Sequence, residues 1–401
     1  MNKNKKIELM APVGNIPMLV AACKAGADAV YFGVNDFTMR AGKRNFKISD
    51  LPKIKKICDS YPRKPKMYLV MNTIIYDQEL KKLESTIKKV KGKVDAIICW
   101  DLAVIEFCKK HKVPFFISTQ ASIANTLSAK FYKKLGAKRV VLARELNLKQ
   151  VKEIMKIKGL EVEVFIHGAM CVSVSGRCFT SQFLYNKSAN RGECFQPCRR
   201  SYFIKEEGLG HELTLEGSKV MSAKDLCVLP FVEELKKIGV HSFKIEGRNR
   251  DSRYVDAVVR VYREAIDTKL TKERTIELMK ELEGVYNRGF SSGFFLGKPL
   301  PSDFSQVDSS ASEIEKVFVG KVIKFYPKVG AITIKLVSEL QEGDRIIIIG
   351  DDIGIKEVVA SEMEINNKKV VKGIKSQEIG VKMPFKVARG AEVYKLKKRS
   401  S

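Results

Sequence analysis

The chain is 401 residues long, 45% hydrophobic and 30% charged, which suits a soluble protein with a large core and more than one domain. No apolar run approaches the ~18 residues of a membrane helix. The basic start, Met1 to Lys6, leads into an apolar stretch interrupted by Glu8 and Pro12, too short for a secretory signal, so a cytoplasmic protein without a membrane is expected. A formal charge of +27, from 73 Lys and Arg against 46 Asp and Glu, makes a polyanion such as RNA a natural partner, although a lysine-rich solvated surface would give the same count.

Up to about residue 250, short apolar runs alternate with helical patterns, as in βα units around a parallel sheet. Strand-like runs fall at 7–13, 29–33, 66–72, 96–101, 115–120, 139–145, 162–168 and 242–248. Amphipathic helices separate most of them: 17–26 ends on Gly26, as helix C-termini often do, and 146–158 turns Val151 and Ile154 to one face. Eight such units predict a TIM-type (β/α)8 barrel rather than an open doubly wound sheet. No G-x-G-x-x-G follows the first strand to suggest a dinucleotide site. Cys23, Cys58, Cys99 and Cys108 sit singly in these patterns and read as small buried hydrophobes.

Residues 169–241 separate the seventh and eighth strands, far more than one helix needs. A βα loop leaves the C-terminal face of a barrel, so this insertion should hang over the mouth, where active sites are built. It holds Cys171-x6-Cys178-x15-Cys194-x3-Cys198. Nine cysteines, an odd number in a long cytosolic chain, argue against a disulfide framework. Four crowded thiols suit tetrahedral zinc or an iron–sulfur cluster; the first pair is wider than the usual zinc spacing, and redox thiols without metal stay open. Gly168, Ala169, Gly176 and Gly192 leave room for backbone near sulfur, and Cys227 is a competing fifth thiol.

Helical patterns at 251–267 and 272–286 are followed by a Gly-, Ser- and Pro-containing stretch at 289–312. The period then changes to two. Runs at 317–325, 331–337, 345–349, 357–365, 380–383 and 392–396 predict a small antiparallel β-barrel. The expected organisation is a barrel domain over 1–290 with a cysteine-rich insertion at 169–222, a linker at 291–314 and a β domain at 315–401. The last of these carries 18 basic and 11 acidic residues, so most of the charge excess belongs to the barrel and its insertion.

The segment Val164-Phe165-Ile166-His167-Gly168-Ala169-Met170-Cys171, continuing to Gly176-Arg177-Cys178, resembles the signature of the collagenase-like peptidase family. Leu9-Met10-Ala11-Pro12-Val13-Gly14-Asn15, Gly26-Ala27-Asp28-Ala29-Val30-Tyr31-Phe32-Gly33, Asn190-Arg191-Gly192-Glu193-Cys194 and Phe243-Lys244-Ile245-Glu246-Gly247-Arg248 are similar to further motifs of that family. Val174 departs from the pattern, standing where an aromatic residue is common. The family includes prephenate-dependent hydroxylases of tRNA and rRNA and related iron–sulfur hydroxylases of a ubiquinone precursor. The resemblance therefore implies a 4Fe-4S cluster on Cys171, Cys178, Cys194 and Cys198, with Cys227 competing for the fourth position. It also implies prephenate as co-substrate and oxygen-independent hydroxylation of a pyrimidine in RNA. Peptidase activity, as the family name suggests, is the main alternative, and hydroxylation of a ubiquinone precursor is another.

The residues give the peptidase little support: His111, His167, His211 and His241 fall in no H-E-x-x-H, and no G-x-S-x-G appears. Polar residues at strand C-termini, among them Asn72, Asp101, Gln120, Arg144, Glu145, His167, Glu246 and Arg248, are pocket candidates, each with strand capping as the plain alternative. Arg144 and Arg248 offer fork-shaped donors for a dicarboxylate, and Glu145 and Glu246 could position them or act as a base.

Overall fold

The computed structural model describes residues 6–34, 36–39, 45–200, 221–247, 250–305, 307 and 309–399. Its first part holds strands β1 (Glu8–Pro12), β2 (Ala29–Phe32), β3 (Lys66–Met71), β4 (Ala96–Cys99), β5 (Phe115–Ile117), β6 (Arg139–Val141), β7 (Glu161–Gly168), β8 (Asp225–Cys227) and β9 (Ser242–Ile245). From β1 to β7 each strand pairs in parallel with the next, and β9 pairs with both β7 and β1. The result is the expected closed eight-stranded parallel barrel. The apolar runs are continuous because both faces of such a strand are covered.

Helices follow the strands: α1 (Ile16–Ala25), α2 (Leu51–Asp59), α3 (Leu80–Val90), α4 (Leu102–His111), α5 (Thr126–Lys134), α6 (Leu148–Met155), the insertion's α7 (Thr180–Tyr185), α8 (Val232–Ile238), α9 (Ser252–Asp267) and α10 (Lys272–Glu283). Local chemistry sets their ends. Asn15, Asp101, Asn147 and Asp251 accept backbone N–H bonds as N-caps of α1, α4, α6 and α9, and Gly26 closes α1 at φ +97°. Cys23, Cys58, Cys99 and Cys108 are buried in the core between barrel and helices, as read from the sequence.

The strands are shorter than their apolar runs suggested. β3, β4, β5 and β6 stop at Met71, Cys99, Ile117 and Val141, so Asn72, Asp101, Gln120, Arg144 and Glu145 belong to the loops above the barrel. Strand β8 runs antiparallel to β7, with Cys227 opposite His167, and pairs with β10 (Phe290–Ser291). Within 291–314, expected as a linker, Asp303 O accepts from Lys224 N–H at 2.9 Å and Ser305 N–H donates to Ser222 O at 2.6 Å.

The second part is an antiparallel sheet with its own core. Its strands are β11 (Ile314–Tyr326), β12 (Ala331–Leu336), β14 (Arg345–Gly350), β15 (Gly354–Val359), β16 (Glu364–Ile365), β17 (Lys368–Lys369), β19 (Glu378–Lys382) and β20 (Glu392–Lys398), in the order β15-β14-β20-β11-β12-β19-β16-β17. A small pair, β13 (Leu340–Gln341) with β18 (Lys372–Gly373), lies beside it. The run read as one strand at 357–365 divides, with buried Ala360 and Met363 between β15 and β16. The sheet docks on α1: Lys24 Nζ donates to Ile353 O at 2.7 Å, and a Cβ at Gly354 (φ +68°) would meet Ala21 N at 2.8 Å. No helix among the described residues is long and apolar enough to cross a membrane.

Inside the barrel a small apolar cluster of Met10, Ala29, Tyr31, Tyr68, Val70, Ala96, Ile98 and Phe116 is combined with charge. Arg139, 3% exposed, reaches Glu8 (2.5 Å), Glu161 (2.7 Å) and Glu163 (3.1 Å), and the other oxygen of fully buried Glu163 lies 3.0 Å from Lys244 Nζ. Removing one member leaves its partners charged and buried, which costs far more than the pair contributes. Arg139→Met should therefore lower stability by roughly 3–5 kcal/mol in urea unfolding followed by fluorescence. A loss under ~1 kcal/mol, the size of a surface pair, would show the network to be dispensable.

Candidate active site at the barrel mouth

A cavity of about 280 Å³ lies where the insertion covers the C-terminal end of the barrel. Its lining includes Tyr31, Val70, Ile98, Phe165 and Lys244 from the barrel interior, Asn72, Ser118, Gln120, Arg144 and Glu246 from the loops, and all four insertion cysteines. Gly168 and Gly176 let the insertion sit this low. A Cβ on Gly168 (φ +104°) would stand 2.4 Å from Glu246 O, and one on Gly176 (φ +78°) 2.7 Å from Gln120 Cγ.

Two cations lie close to the Phe165 ring. The Arg144 guanidinium stacks 3.9 Å from its centroid, donates from Nη1 to Ala169 O at 2.7 Å and lies 4.0 Å from Glu246. Lys244 Nζ is 5.4 Å from the same centroid and 4.5 Å from that of Tyr31, with Glu163 as its carboxylate partner. Gln120 is buried, accepts a hydrogen bond from Ser118 Oγ, and places its Nε2 2.9 Å from Met39 Sδ. Asn72 Oδ1 accepts from Met39 N–H at 3.0 Å. Arg288 lines the cavity with buried Asp225 behind it at 3.7 Å.

Cys171, Cys178, Cys194 and Cys198 all border this cavity. Burial raises the Cys198 thiol; Arg199 opposes the rise, and the charges of Cys171, Cys194 and Cys178 add to it, so all four sit within one another's field. At Cys178 burial is outweighed by hydrogen bonds from Thr180 and Ser173, and the thiol is lowered. Among the described residues no three His, Cys, Asp or Glu side chains converge closely enough for a metal ion. One tetrahedral zinc would draw four sulfurs to within about 3.8 Å of one another, given Zn–S bonds of ~2.3 Å; a cubane spaces its ligands more widely. Cys227 stands apart. It does not line the cavity, its Sγ is 3.6 Å from Tyr262 OH, and burial pushes its thiol up to about 11.

The structure thus gathers Arg144, Glu246 and the four cysteines with Asn72 and Gln120. It does not bring the other candidates to them. Asp101 caps α4 and accepts from Ile75 N–H at 3.0 Å, and Glu145 is exposed away from the cavity. Arg248 and His211 lie outside the described residues. His167 corrects the simple alternation: Phe165 pairs with Lys244 but His167 with Ile245, so β7 advances two residues against one of β9. That bulge turns Phe165 into the barrel and His167 out against Tyr254, Tyr262 and Phe290. No described histidine lines the cavity: His111 pairs with Glu84, and His241 accepts from Val162 N–H. Lys244 was missed as a site residue. Its signal was a charge inside an otherwise apolar strand run, matched by Glu163 inside another.

The sequence profile of peptidase family U32 matches residues 14–304. This chain belongs to peptidase family U32. An uncharacterised protease of Methanocaldococcus jannaschii is 40% identical over 98% of each chain, and a collagenase of Porphyromonas gingivalis 39% identical over 100% of each. The tRNA hydroxylation protein P1 of Bacillus subtilis is 32% identical over 87% of this chain and 85% of its own. The U32 chain is an enzyme, and the names of its relatives divide between proteolysis and RNA hydroxylation. The profile match begins just after β1, takes in the rest of the barrel and the cysteine insertion, and ends before the C-terminal sheet.

Burial, with the nearby Arg250 charge, pushes His167 from 6.5 down to about 3. Between those values only the unfolded chain binds the proton, so the stability is complete above about pH 6.5 and is lost as pH falls toward 3. The slope is about 1.4 kcal/mol per pH unit. In His167→Gln this contribution should vanish while its activity at neutral pH persists; an unchanged acid slope in denaturant titrations would place the titrating group elsewhere.

Proposed function

We propose that this U32 enzyme is a cytoplasmic iron–sulfur protein that hydroxylates a pyrimidine base in tRNA or rRNA without molecular oxygen, using prephenate as co-substrate. The observation carrying this reading is the placement of four insertion thiols around one cavity that Arg144 and the buried Lys244 also line. The donor set fits the group: four soft sulfurs and no histidine suit a 4Fe-4S cluster on Cys171, Cys178, Cys194 and Cys198, and the remoteness of Cys227 favours Cys198 as the fourth ligand. When bound, the cluster would supply one-electron chemistry or a Lewis-acidic iron at the cavity rim.

The chain's own residues supply binding and orientation. Arg144 presents a guanidinium fork and Lys244 a compact ammonium close to one aromatic ring, a pattern suited to the two carboxylates of prephenate. Glu246 sits 4.0 Å from Arg144, where it orients the guanidinium and can hold a proton at its carboxylate. The Gln120 and Asn72 amides and the Ser118 hydroxyl offer donors and acceptors for the polar edge of a base. RNA affinity draws on the +27 charge.

A peptidase is the competing reading, supported by the collagenase relative's name. Against it, the described residues hold no histidine at the cavity to serve a cysteine nucleophile. The buried His167 and Cys227 are held neutral, at about 3 and about 11. Cysteine-independent cleavage of collagen by pure protein would reverse the ranking.

Anaerobic purification should give brown protein with about four iron and four sulfide per chain, as for cubane sites. Colourless protein with stoichiometric zinc would overturn the reading. Cys171→Ala and Cys198→Ala should lose the absorbance, whereas Cys227→Ala should keep it. Nucleoside mass spectrometry of a deletion strain should show one hydroxypyrimidine missing from tRNA or rRNA.

Arg144→Lys and Lys244→Met should leave that absorbance intact; Lys244→Met should weaken prephenate use by roughly 2–5 kcal/mol, the cost of losing a buried charge partner, and Arg144→Lys, which keeps the charge and loses only the fork, should weaken it by less. Unchanged prephenate dependence in both variants would assign the two cations to Glu246 and Glu163 alone.

A further inference from the structure

Where the insertion crosses the mouth, its aromatic side chains face water. Phe183 is 85% exposed, Phe179 61% and Phe195 51%. The rings are held in pairs: Phe179 and Phe183 lie one helical turn apart with centroids at 6.5 Å, and Tyr185 and Phe195 at 5.4 Å. Local bonds fix their backbone, from Phe183 N–H to Phe179 O at 3.0 Å and from Phe195 N–H to Ser181 Oγ at 3.1 Å. Cations are interleaved with them. The Arg200 guanidinium lies 5.0 Å from the Tyr185 centroid, and Arg177 is exposed beside Cys178. The patch adjoins the cavity, because Cys178 and Thr180, on either side of Phe179, line it.

An apolar protein partner calls for a contiguous patch with charge kept to the rim. Exposed rings alternating with cations suit a single-stranded nucleic acid instead, whose bases stack while its phosphates meet the charges. The cavity itself adds a reason. A base that enters this cavity of about 280 Å³ has left its stack, and its neighbours need surrogate partners at the rim.

We propose that Phe179 and Phe183, with the Tyr185–Phe195 pair beside them, form a stacking platform for the unpaired nucleotides flanking the base that enters the cavity, with Arg177 and Arg200 on their phosphates. This rests on the RNA reading above and adds how the loop is held.

The test uses full-length, anaerobically purified protein and measures anisotropy of labelled oligouridylate and bulk tRNA across a salt series. Phe183→Ala and Phe179→Ala should each weaken binding about tenfold. The slope against log salt should stay unchanged, since no phosphate contact is lost, whereas Arg200→Gln should reduce it by about one. Phe183→Trp should bind like wild type and Phe183→Leu like Phe183→Ala. Such exposed positions leave the fold intact, which an unchanged cluster absorbance confirms. Leucine binding as well as tryptophan, or wild-type self-association abolished by Phe183→Ala, would overturn the platform. Aromatic variants that bind and modify RNA as wild type does would refute it while sparing the RNA reading; wild type that binds no RNA would refute both.

Discussion

A single buried carboxylate, Glu163, joins the two halves of the barrel's interior chemistry. One oxygen meets Arg139, which is anchored to Glu8 and Glu161 at the N-terminal end, and the other meets Lys244 at the floor of the mouth cavity. A buried charge is tolerated only with partners, so each member fixes the next and the chain of ions sets Lys244 in place. The sharing also has an electrostatic consequence. Three carboxylates, Glu8, Glu161 and Glu163, stand against Arg139 and Lys244, so the cost of burying the two cations is offset inside the barrel. Arg144 and Glu246 form a second cation–carboxylate pair at the mouth, at 4.0 Å.

The lid over that floor depends on backbone more than on side chains. β7 ends at Gly168 in a left-handed conformation, pressed against the Glu246 carbonyl, and the chain then turns across the mouth instead of continuing outward. β8 returns antiparallel to β7 and fastens the far end of the insertion, and residues near 303–305 bind it from the other side. Arg199 donates to the backbone at Ala223 O, across the insertion, and to Met170 O. The four cysteines are thereby carried on a segment tied at both ends, which brings residues 27 positions apart in sequence to one cavity.

The barrel was legible because its signal is repeated: eight apolar runs, most of them followed by an amphipathic helix, leave few other architectures. The cysteine site was legible for a different reason, since four thiols in 28 residues have few structural uses. What escaped were matters of one residue. Alternation along β7 puts His167 on the same face as Phe165, and only the bulge against β9 reverses it. Strand ends were drawn too long because Asn72, Gln120 and Arg144 continue the pattern without continuing the ladder. Lys244 was hidden by the habit of reading a strand lysine as solvated, although a central barrel strand has no solvated face. Cys227 competed with Cys198 as a fifth thiol because of the family resemblance, and the fold separates them by placing one behind the barrel wall and one at its mouth.

The large positive charge does not by itself locate the partner. A second, wider basin of about 1360 Å³ at the N-terminal end of the barrel is lined by Lys6, Lys66, Lys138, Lys158, Lys237 and Lys269, far along the barrel axis from the cysteines. Basic residues are therefore abundant at both ends, and long-range attraction would draw a polyanion to either. Attraction falls off within roughly 8 Å at physiological salt, so it speeds encounter without choosing an orientation. Orientation requires contacts with shape: rings for bases, a cavity for one of them, and cations at fixed distance from both. In the described residues these coincide at the mouth, where the insertion's aromatic rim borders the thiol-lined cavity. The opposite basin has lysines, many within reach of carboxylates such as Asp28, Glu8 and Glu234, and its aromatic rings, Tyr68 and Phe116, are buried inside the barrel. On the RNA reading proposed above, charge brings the nucleic acid to this enzyme and aromatic geometry decides which end it uses.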